Sequence, residues 1–184
     1  MTLPPIRSTL RMLLIPLTME HSGGMFEMWS DADVCRYSGQ AHDQCGNLIR
    51  LPARIRADSD KIIEFFTRRS EEKLGFRWAM RDKQTGRFLG TIGFNHLAPD
   101  TEVAYHLSPT AWGNGYAVEA LEEALRWASE AKVRQVSAWI EAGNSRSIAL
   151  VTKVHFLPTG AVSEGASQFL RQLGQLGRAS AIRR

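Results

Sequence analysis

The stretch that decides the fold reads Trp112-Gly113-Asn114-Gly115-Tyr116-Ala117, and it separates a strand-like segment, residues 102–107, from the strongest helical pattern of the chain, residues 116–131. Glycines at 113 and 115 permit positive φ angles and bring the backbone close to a ligand, so that successive N–H groups can face one concavity. The first helical turn adds its own free N–H groups and the positive end of the helix dipole. The stretch therefore predicts an anion-binding site.

This turn matches neither of the two common nucleotide-binding motifs. A dinucleotide-binding turn needs a third glycine, and Val118 occupies that position. A Walker loop would continue into Gly-Lys-Ser/Thr, which is missing. Two interpretations stay open at this point: the backbone alone binds a diphosphate, or the glycines only reverse the chain.

Working outward, the pattern predicts strands and helices on both sides of the turn. In chain order these are a strand over 9–17, a helix over 19–29, a mobile loop over 38–57, a helix from Asp58 or Asp60 to Lys73 that stops at Gly75, a hairpin of 76–81 and 87–95, a strand over 133–141 and a helix from Asn144 to Val154. Strands that alternate with helices indicate an α/β or α+β layered sheet with at least one parallel crossover.

Composition and charge narrow the class of protein. The 184 residues fit a single domain, and 43% hydrophobic with 23% charged residues is typical of a globular chain. The net charge of +4 is concentrated in residues 158–184, where four arginines (Arg171, Arg178, Arg183, Arg184) face one acid, Glu164. The rest of the chain has no basic stripe with interleaved aromatics, so we expect no nucleic-acid partner.

Two further features bear on location and metal binding. Cys35 and Cys45 are too few for a disulfide framework and lie in no metal motif, so we expect reduced thiols, a cytoplasmic protein and no metal site. The apolar run at residues 10–17 is interrupted by Arg11 and Pro16 and is shorter than the ~20 residues of a membrane span. We therefore expect no membrane partner.

Two motifs at the correct separation resemble the GNAT acetyltransferase superfamily. The turn at 112–117, followed by Glu119-Ala120, resembles that family's coenzyme A pyrophosphate loop, Gln/Arg-x-x-Gly-x-Gly/Ala, with Trp112 in place of Gln/Arg. Asn144-Ser145-Arg146-Ser147 through Leu150, Lys153 and Phe156 resembles the Asn-x-x-Ser-x-x-Leu-x-x-Lys-x-Gly-Phe pattern of the branch of ribosomal-protein N-terminal (alanine/serine) acetyltransferases, with His155 in place of glycine. Gly90-Thr91-Ile92-Gly93-Phe94 is similar to the third-strand signature, and the resemblance spans about residues 8–160.

The resemblance implies a fold and a reaction. The fold is a mixed, mostly antiparallel central sheet with helices on both faces. The reaction is transfer of an acetyl group from acetyl-CoA to a primary amine, either a protein or peptide α-amine or a small amine, without a metal. The residues that the resemblance and the turn chemistry assign to cofactor binding are His106, Leu107, Trp112, Gly113, Asn114, Gly115, Tyr116, Ala117, Asn144, Ser147 and Lys153.

Acetyl transfer to an amine needs a base, an oxyanion donor and an acid for the leaving thiolate. Glu102 is the candidate base, and His106 competes with it, although an exposed carboxylate and a structural histidine are the ordinary alternatives. Backbone N–H groups near Leu107, freed by the bend before Pro109, are the candidate oxyanion donors. The resemblance assigns the acid role to Ser147, with Tyr116 as a second choice.

Alternatives remain for several of these residues. Asn144 and Ser147 fit the first turn of a helix, where both side chains can simply satisfy backbone amides. Trp112 fits a structural role, and Arg146 and Lys153 fit either a coenzyme phosphate or solvent.

The predicted structure after Pro158 argues against a complete acceptor site. Relatives return a last strand across the acceptor site there, whereas residues 168–176 predict a weakly helical polar stretch. A non-catalytic acyl-CoA-binding or regulatory module is therefore the main alternative, and a nucleic-acid or ribosome-binding role of the arginine tail is a third. A monomer and a homodimer are both compatible with the sequence.

Overall fold

The computed structural model describes residues 4–174, which build a mixed sheet of eight strands and a separate two-stranded hairpin. The strands are β1 Arg7–Ser8, β2 Met12–Pro16, β3 Ala41–His42, β4 Leu48–Ile49, β5 Phe76–Asp82, β6 Phe88–Phe94, β7 Asp100–Leu107, β8 Gln135–Glu141, β9 Leu157–Ser163 and β10 Ala166–Gln172. The large sheet has the order β1-β2-β5-β6-β7-β8-β10-β9, and β3 pairs with β4. Its pairs are antiparallel except β7–β8, as the predicted crossover requires.

Helices cover both faces of this sheet, which confirms the predicted fold class. The helices are α1 Ser22–Trp29, α2 Ala32–Cys35, α3 Arg56–Glu71, α4 Tyr116–Glu130 and α5 Ser145–Lys153. One apolar core lies between the sheet and α4 and α5, and a second lies on the opposite face under α1 and α3. Within residues 4–174 no helix combines the length and the apolar character that a membrane crossing needs.

The ends of α3 differ from the sequence-based prediction. The helix begins at Arg56, so Asp58 is its third residue, and the Asp58 carboxylate accepts hydrogen bonds from the N–H groups of Arg54 and Ile55. The helix ends at Glu71, ahead of Gly75. Gly75 is needed for a different reason: a Cβ there would lie 2.5 Å from the carbonyl oxygen of Asn95.

The prediction of a weakly helical C-terminal stretch is wrong. Residues Ala166–Gln172 form β10, which pairs antiparallel with β8 along its whole length and with β9 on its other side. Phe169 is buried against the core, and these long-range pairings outweigh the weak local preference of a polar segment. The last strand that relatives use is therefore present. Gln175 and Leu176 of the predicted stretch, together with Arg178, Arg183 and Arg184, lie outside the described residues.

The segment predicted as a loop, residues 38–57, is irregular apart from the short β3–β4 hairpin and the start of α3. Cys35 and Cys45 are both free thiols. The Cys35 thiol donates to the carbonyl of Trp29, and burial raises its pKa to about 11, so it is a poor nucleophile.

Candidate active site

A cleft opens in the sheet where β7 and β8 separate. The two strands pair only over Asp100–Glu102 and Gln135–Ser137, whereas β7 continues to Leu107 paired with β6 alone. The cleft has a volume of about 1820 Å³ and extends from the loop before α4 to the space under α1 and α3. This separation gives a ligand access to the middle of the sheet from both faces.

The backbone of β7 directs free N–H groups into this gap. Asn95 donates to the carbonyl of Glu102, and Ser108 donates to the carbonyl of Leu89, so the even-numbered residues of β7 hydrogen-bond to β6. In an antiparallel ladder the intervening residues point their N–H groups the other way. The N–H groups of Tyr105 and Leu107 therefore face the gap, where they can donate to a ligand oxygen.

The loop before α4 presents a longer run of free N–H groups. Gly113 and Gly115 have φ angles of 75° and 78°, in the region where glycine is favoured. For the backbone N–H groups of residues 113–118, no acceptor occurs among residues 4–174. Six consecutive donors at the positive end of a fifteen-residue helix suit a diphosphate, which carries several acceptor oxygens and negative charge.

On one face of β7, Tyr105 and Ser147 form a close pair beside the gap. The Tyr105 Oη and Ser147 Oγ atoms are 2.5 Å apart, and either atom can donate. Burial raises the pKa of Tyr105 to about 12, although its hydrogen bond with Ser147 lowers it, so the phenol stays protonated. Ser147 is held in place because Asn144 caps α5 by accepting from the Ser147 N–H at 3.1 Å.

Aromatic and basic residues border the cleft on the side of α4 and α5. The Trp112 indole donates to the carbonyl of Leu107 at 2.9 Å, and the Arg146 guanidinium lies 4.8 Å from the centre of the Trp112 ring. The Tyr116 hydroxyl donates to Asp82 at 3.0 Å, away from the Tyr105–Ser147 pair. Lys153 is exposed and lines the cleft.

The opposite face of β7 carries a partly buried polar network around Glu102, in which Arg77 is buried. Asn95 donates to Glu102 Oε1 at 2.7 Å, and Arg77 donates to the side-chain oxygen of the same Asn95. Burial raises the pKa of Glu102, an effect that Asn95, His96 and Arg77 oppose. Burial also lowers the pKa of Arg77 to about 9. Glu102 is thus a desolvated carboxylate, more basic than an exposed one.

Trp29 and His106 close this face of the cleft. Their ring centres are 4.5 Å apart, and burial with the nearby charge of Arg77 lowers the pKa of His106 to about 3, so the imidazole is neutral at pH 7. The Trp29 indole nitrogen is buried and has no hydrogen-bond partner among residues 4–174. This side of the cleft therefore holds a donor without an acceptor.

The structure brings most residues predicted from the sequence to one cleft, but on different faces of β7. Ser147, Asn144 and the loop at 112–117 lie on the α4 and α5 side, whereas the side chains of Glu102 and His106 point toward α1 and α3. Within residues 4–174 there is no cluster of three or more His, Cys, Asp or Glu side chains suited to a metal.

Sequence reasoning missed three polar residues of the site: Tyr105, Asn95 and Arg77. Neighbouring side chains of a strand point to opposite faces, so alternation indicates that Tyr105 and His106 lie on different faces of β7. This was the only local signal for Tyr105. Asn95 and Arg77 contact Glu102 or each other only through sheet pairing, so no local pattern could identify them.

Comparisons with known proteins agree with this geometry. A family model described as an acetyltransferase (GNAT) domain matches residues 11–157. The uncharacterized N-acetyltransferase YoaA of Bacillus subtilis (strain 168) is 27% identical over 164 residues, which cover 87% of each chain. The fold is similar to that of spermidine N-acetyltransferase from Vibrio cholerae in complex with CoA and spermine (TM-score 0.72, 12% identity, 89% and 96% of the two chains). It is also similar to that of RimL, the ribosomal L7/L12 alpha-N-protein acetyltransferase, in complex with coenzyme A (TM-score 0.72, 12% identity, 91% and 98%).

Proposed function

Because this chain belongs to the GNAT acetyltransferase family, we propose that it transfers the acetyl group of acetyl-CoA to the α-amine of a peptide or protein N-terminus. The observation that carries the proposal is the run of six free N–H groups at 113–118, beside the point where β7 and β8 separate. Acetyl-CoA supplies the acetyl group as an activated thioester. The loop binds the diphosphate, so the thioester end of the molecule reaches the gap.

On the acceptor side, Glu102 takes the proton of the attacking amine. An α-amine has an ordinary pKa of roughly 7.7–8.0, so a carboxylate made more basic by burial is a sufficient base, directly or through a water molecule. Asn95 fixes the orientation of the carboxylate. The base and the Tyr105–Ser147 pair lie on opposite faces of β7, so the amine and the leaving sulfur have separate proton partners. This arrangement suits a direct attack of the amine on the thioester.

On the cofactor side, the C–S bond breaks once the C–N bond has formed, and the Tyr105–Ser147 pair donates a proton to the leaving sulfur. Solvent then returns a proton to the pair and takes the proton that Glu102 accepted. Ser147 is the hydroxyl that the family resemblance assigns to this step. Tyr105 has a pKa of about 12, so it stays protonated at neutral pH and can pass its proton to Ser147. The N–H groups of Tyr105 and Leu107 donate to the carbonyl oxygen as negative charge develops on it.

The charges of the acceptor side favour a peptide over a polyamine. The buried Arg77 guanidinium is linked to Glu102 through Asn95, so one positive charge already accompanies the Glu102 carboxylate. A polyamine carries several positive charges, which the charge of Arg77 disfavours, whereas a peptide N-terminus carries one. RimL is named for an α-amine of a ribosomal protein, and the resemblance of residues 144–156 to that branch supports the same choice.

An acceptor panel tests this proposal. We expect acetyl-CoA to release free thiol with peptides that begin with alanine or serine, at a rate well above that with an N-terminally blocked lysine peptide or with spermidine. In parallel, acetyl-CoA at 100 times its Kd stabilises the fold by about 2.7 kcal/mol, a rise in Tm of several degrees. No rise in Tm contradicts acetyl-CoA binding. A rise without thiol release from any acceptor favours a non-catalytic module, and a preference for spermidine contradicts the peptide assignment.

A further inference from the structure

Arg11, immediately before β2, contacts the loop at residues 112–117 on the side away from the cleft. Its Nη1 donates to the carbonyl oxygen of Asn114 at 2.8 Å, and its guanidinium lies 4.4 Å from the centre of the Tyr116 ring. Neither Arg11 nor Asn114 lines the cleft, whereas Gly113 and Gly115 do. Arg11 thus binds the loop on the side away from the ligand.

This contact sets the direction of an N–H group. The Asn114 carbonyl and the Gly115 N–H belong to one peptide unit, and in a trans peptide these two groups point in opposite directions. By holding the carbonyl on the outer side, Arg11 turns the Gly115 N–H toward the cleft. The left-handed φ of 78° at Gly115 is compatible with that orientation.

Glu119, in the first turn of α4, holds Arg11 in this position. Its carboxylate accepts from the Arg11 Nε at 2.7 Å, from the Arg11 backbone N–H at 2.7 Å and from the Thr9 hydroxyl at 2.5 Å. Burial opposes ionisation of Glu119, but these hydrogen bonds and the charge of Arg11 lower its pKa below the ordinary value. The Arg11 guanidinium therefore binds the helix through Nε and the loop through Nη1.

From these contacts we infer that Arg11 is a positioning residue for the coenzyme diphosphate, acting through the Asn114–Gly115 peptide and without touching the ligand. The inference rests on the proposed function, since it requires a diphosphate in the loop.

Arg7 provides a matched control. It also joins the N-terminal strands to α4, through Glu123 at 2.6 Å in the middle of the helix and Glu130 at 2.8 Å at its last residue, and neither contact involves the loop. Arg7→Gln and Arg11→Gln thus each remove an arginine that ties an N-terminal strand to α4, and only Arg11→Gln changes the loop. A purely structural role of Arg11 predicts similar behaviour of the two variants.

Calorimetric titration with CoA and amide NMR distinguish the two roles. We expect Arg11→Gln to raise the Kd for CoA about tenfold, the equivalent of one charge-assisted hydrogen bond, and Arg7→Gln to leave it within about twofold. On adding CoA, the Gly115 amide resonance shifts in the wild-type protein and shifts less in Arg11→Gln, while the Gly113 amide shifts in both. Pantetheine, which lacks the diphosphate, should bind the wild-type protein and Arg11→Gln equally.

Four outcomes overturn the inference. If wild-type and Arg11→Gln bind CoA equally, Arg11 does not position the diphosphate although the proposed function stands. If CoA and pantetheine weaken together in Arg11→Gln, or if Arg7→Gln weakens CoA as much, the role of Arg11 is structural. If the wild-type protein does not bind CoA, the proposed function fails and the inference fails with it.

Discussion

The two faces of β7 present polar groups of different kinds to the cleft. On the α4 and α5 face, the free donors are backbone N–H groups of 113–118 and a neutral Tyr105–Ser147 pair. On the α1 and α3 face, the polar groups are buried side chains, with Glu102 and Arg77 joined through Asn95. The first arrangement suits a diphosphate common to all acyl-CoA donors, and the second depends on side chains that can differ between acceptors. If the proposed function is right, this difference predicts that donor binding and acceptor chemistry can be altered separately.

Glu102→Gln gives the largest expected separation of the two faces. Loss of a general base typically costs 10²–10⁴-fold, so we expect kcat to fall about 10³-fold while the Kd for CoA is unchanged. Thiol release with the best peptide and calorimetry with CoA measure the two quantities. Glu71→Gln, at the exposed end of α3, is the matched control and should keep both wild-type values.

The same substitution has a stability consequence with a defined sign. The folded pKa of Glu102 is raised, so the folded state favours the protonated form, and its stabilisation is lost as the pH rises through that pKa. Glu102→Gln should therefore be at least as stable as the wild-type protein near pH 8. A rate close to wild-type in this variant, or a loss of CoA affinity, would contradict the division between the faces.

Tyr105→Phe and Ser147→Ala sharpen the comparison on the cofactor face. We expect each to lower kcat about 10²-fold, and the double variant to lose little more, because the two hydroxyls act as one proton-donating unit. Wild-type activity should not fall between pH 8 and pH 10 through ionisation of Tyr105, whose pKa is about 12. Additive losses in the double variant would show that the two hydroxyls act independently. Full activity of both single variants would remove the pair from the mechanism.

Gly115→Ala probes the backbone recognition on the same face. At a φ of 78° an alanine costs roughly 1–2 kcal/mol, so we expect the loop to change conformation and the Kd for CoA to rise about tenfold. Gly23→Ala in α1 is the control, since no atom lies within 4 Å of the position that its new Cβ would take and alanine favours a helix. Unchanged CoA affinity in Gly115→Ala would mean that the Gly115 N–H is not a donor to the diphosphate.

The sequence allowed prediction of the cofactor face because its features are local. The glycine turn, the amphipathic α4 and the Asn144 cap each lie within one short segment, and all three were found where the pattern indicated them. The contacts that complete the site join distant residues: Arg11 with Asn114, Arg77 with Asn95 and Tyr105 with Ser147. Strand pairing of β5 with β6 creates the Arg77–Asn95 contact, and tertiary packing creates the other two. A single sequence encodes neither which strands pair nor which elements pack together. The wrong prediction of a weakly helical stretch at residues 168–176 has a similar cause, because pairing with β8 and β9 makes residues 168–172 part of β10.

The smallest expected effect at neutral pH concerns His106, which packs on Trp29 on the acceptor face. Its pKa is about 3 in the folded state, against an ordinary value of about 6.5, because burial and Arg77 oppose protonation. The neutral form stabilises the fold at neutral pH, and that contribution is lost as the pH falls from about 6.5 toward 3, where only the unfolded chain binds the proton. His106→Phe removes this contribution, so the dependence of the unfolding free energy on pH should weaken by up to about 1.4 kcal/mol per pH unit over that range.

Urea unfolding of wild-type and His106→Phe at pH 8, 6, 5 and 4 measures this difference. At pH 8 the histidine is neutral in both the folded and the unfolded state, so the difference there reports packing alone and serves as the internal reference. As the pH falls, the unfolding free energy of the variant should rise relative to that of the wild-type protein. Parallel curves would mean that His106 can be protonated in the folded state, and the acceptor face would then be more open to water than its buried Arg77–Asn95–Glu102 network indicates.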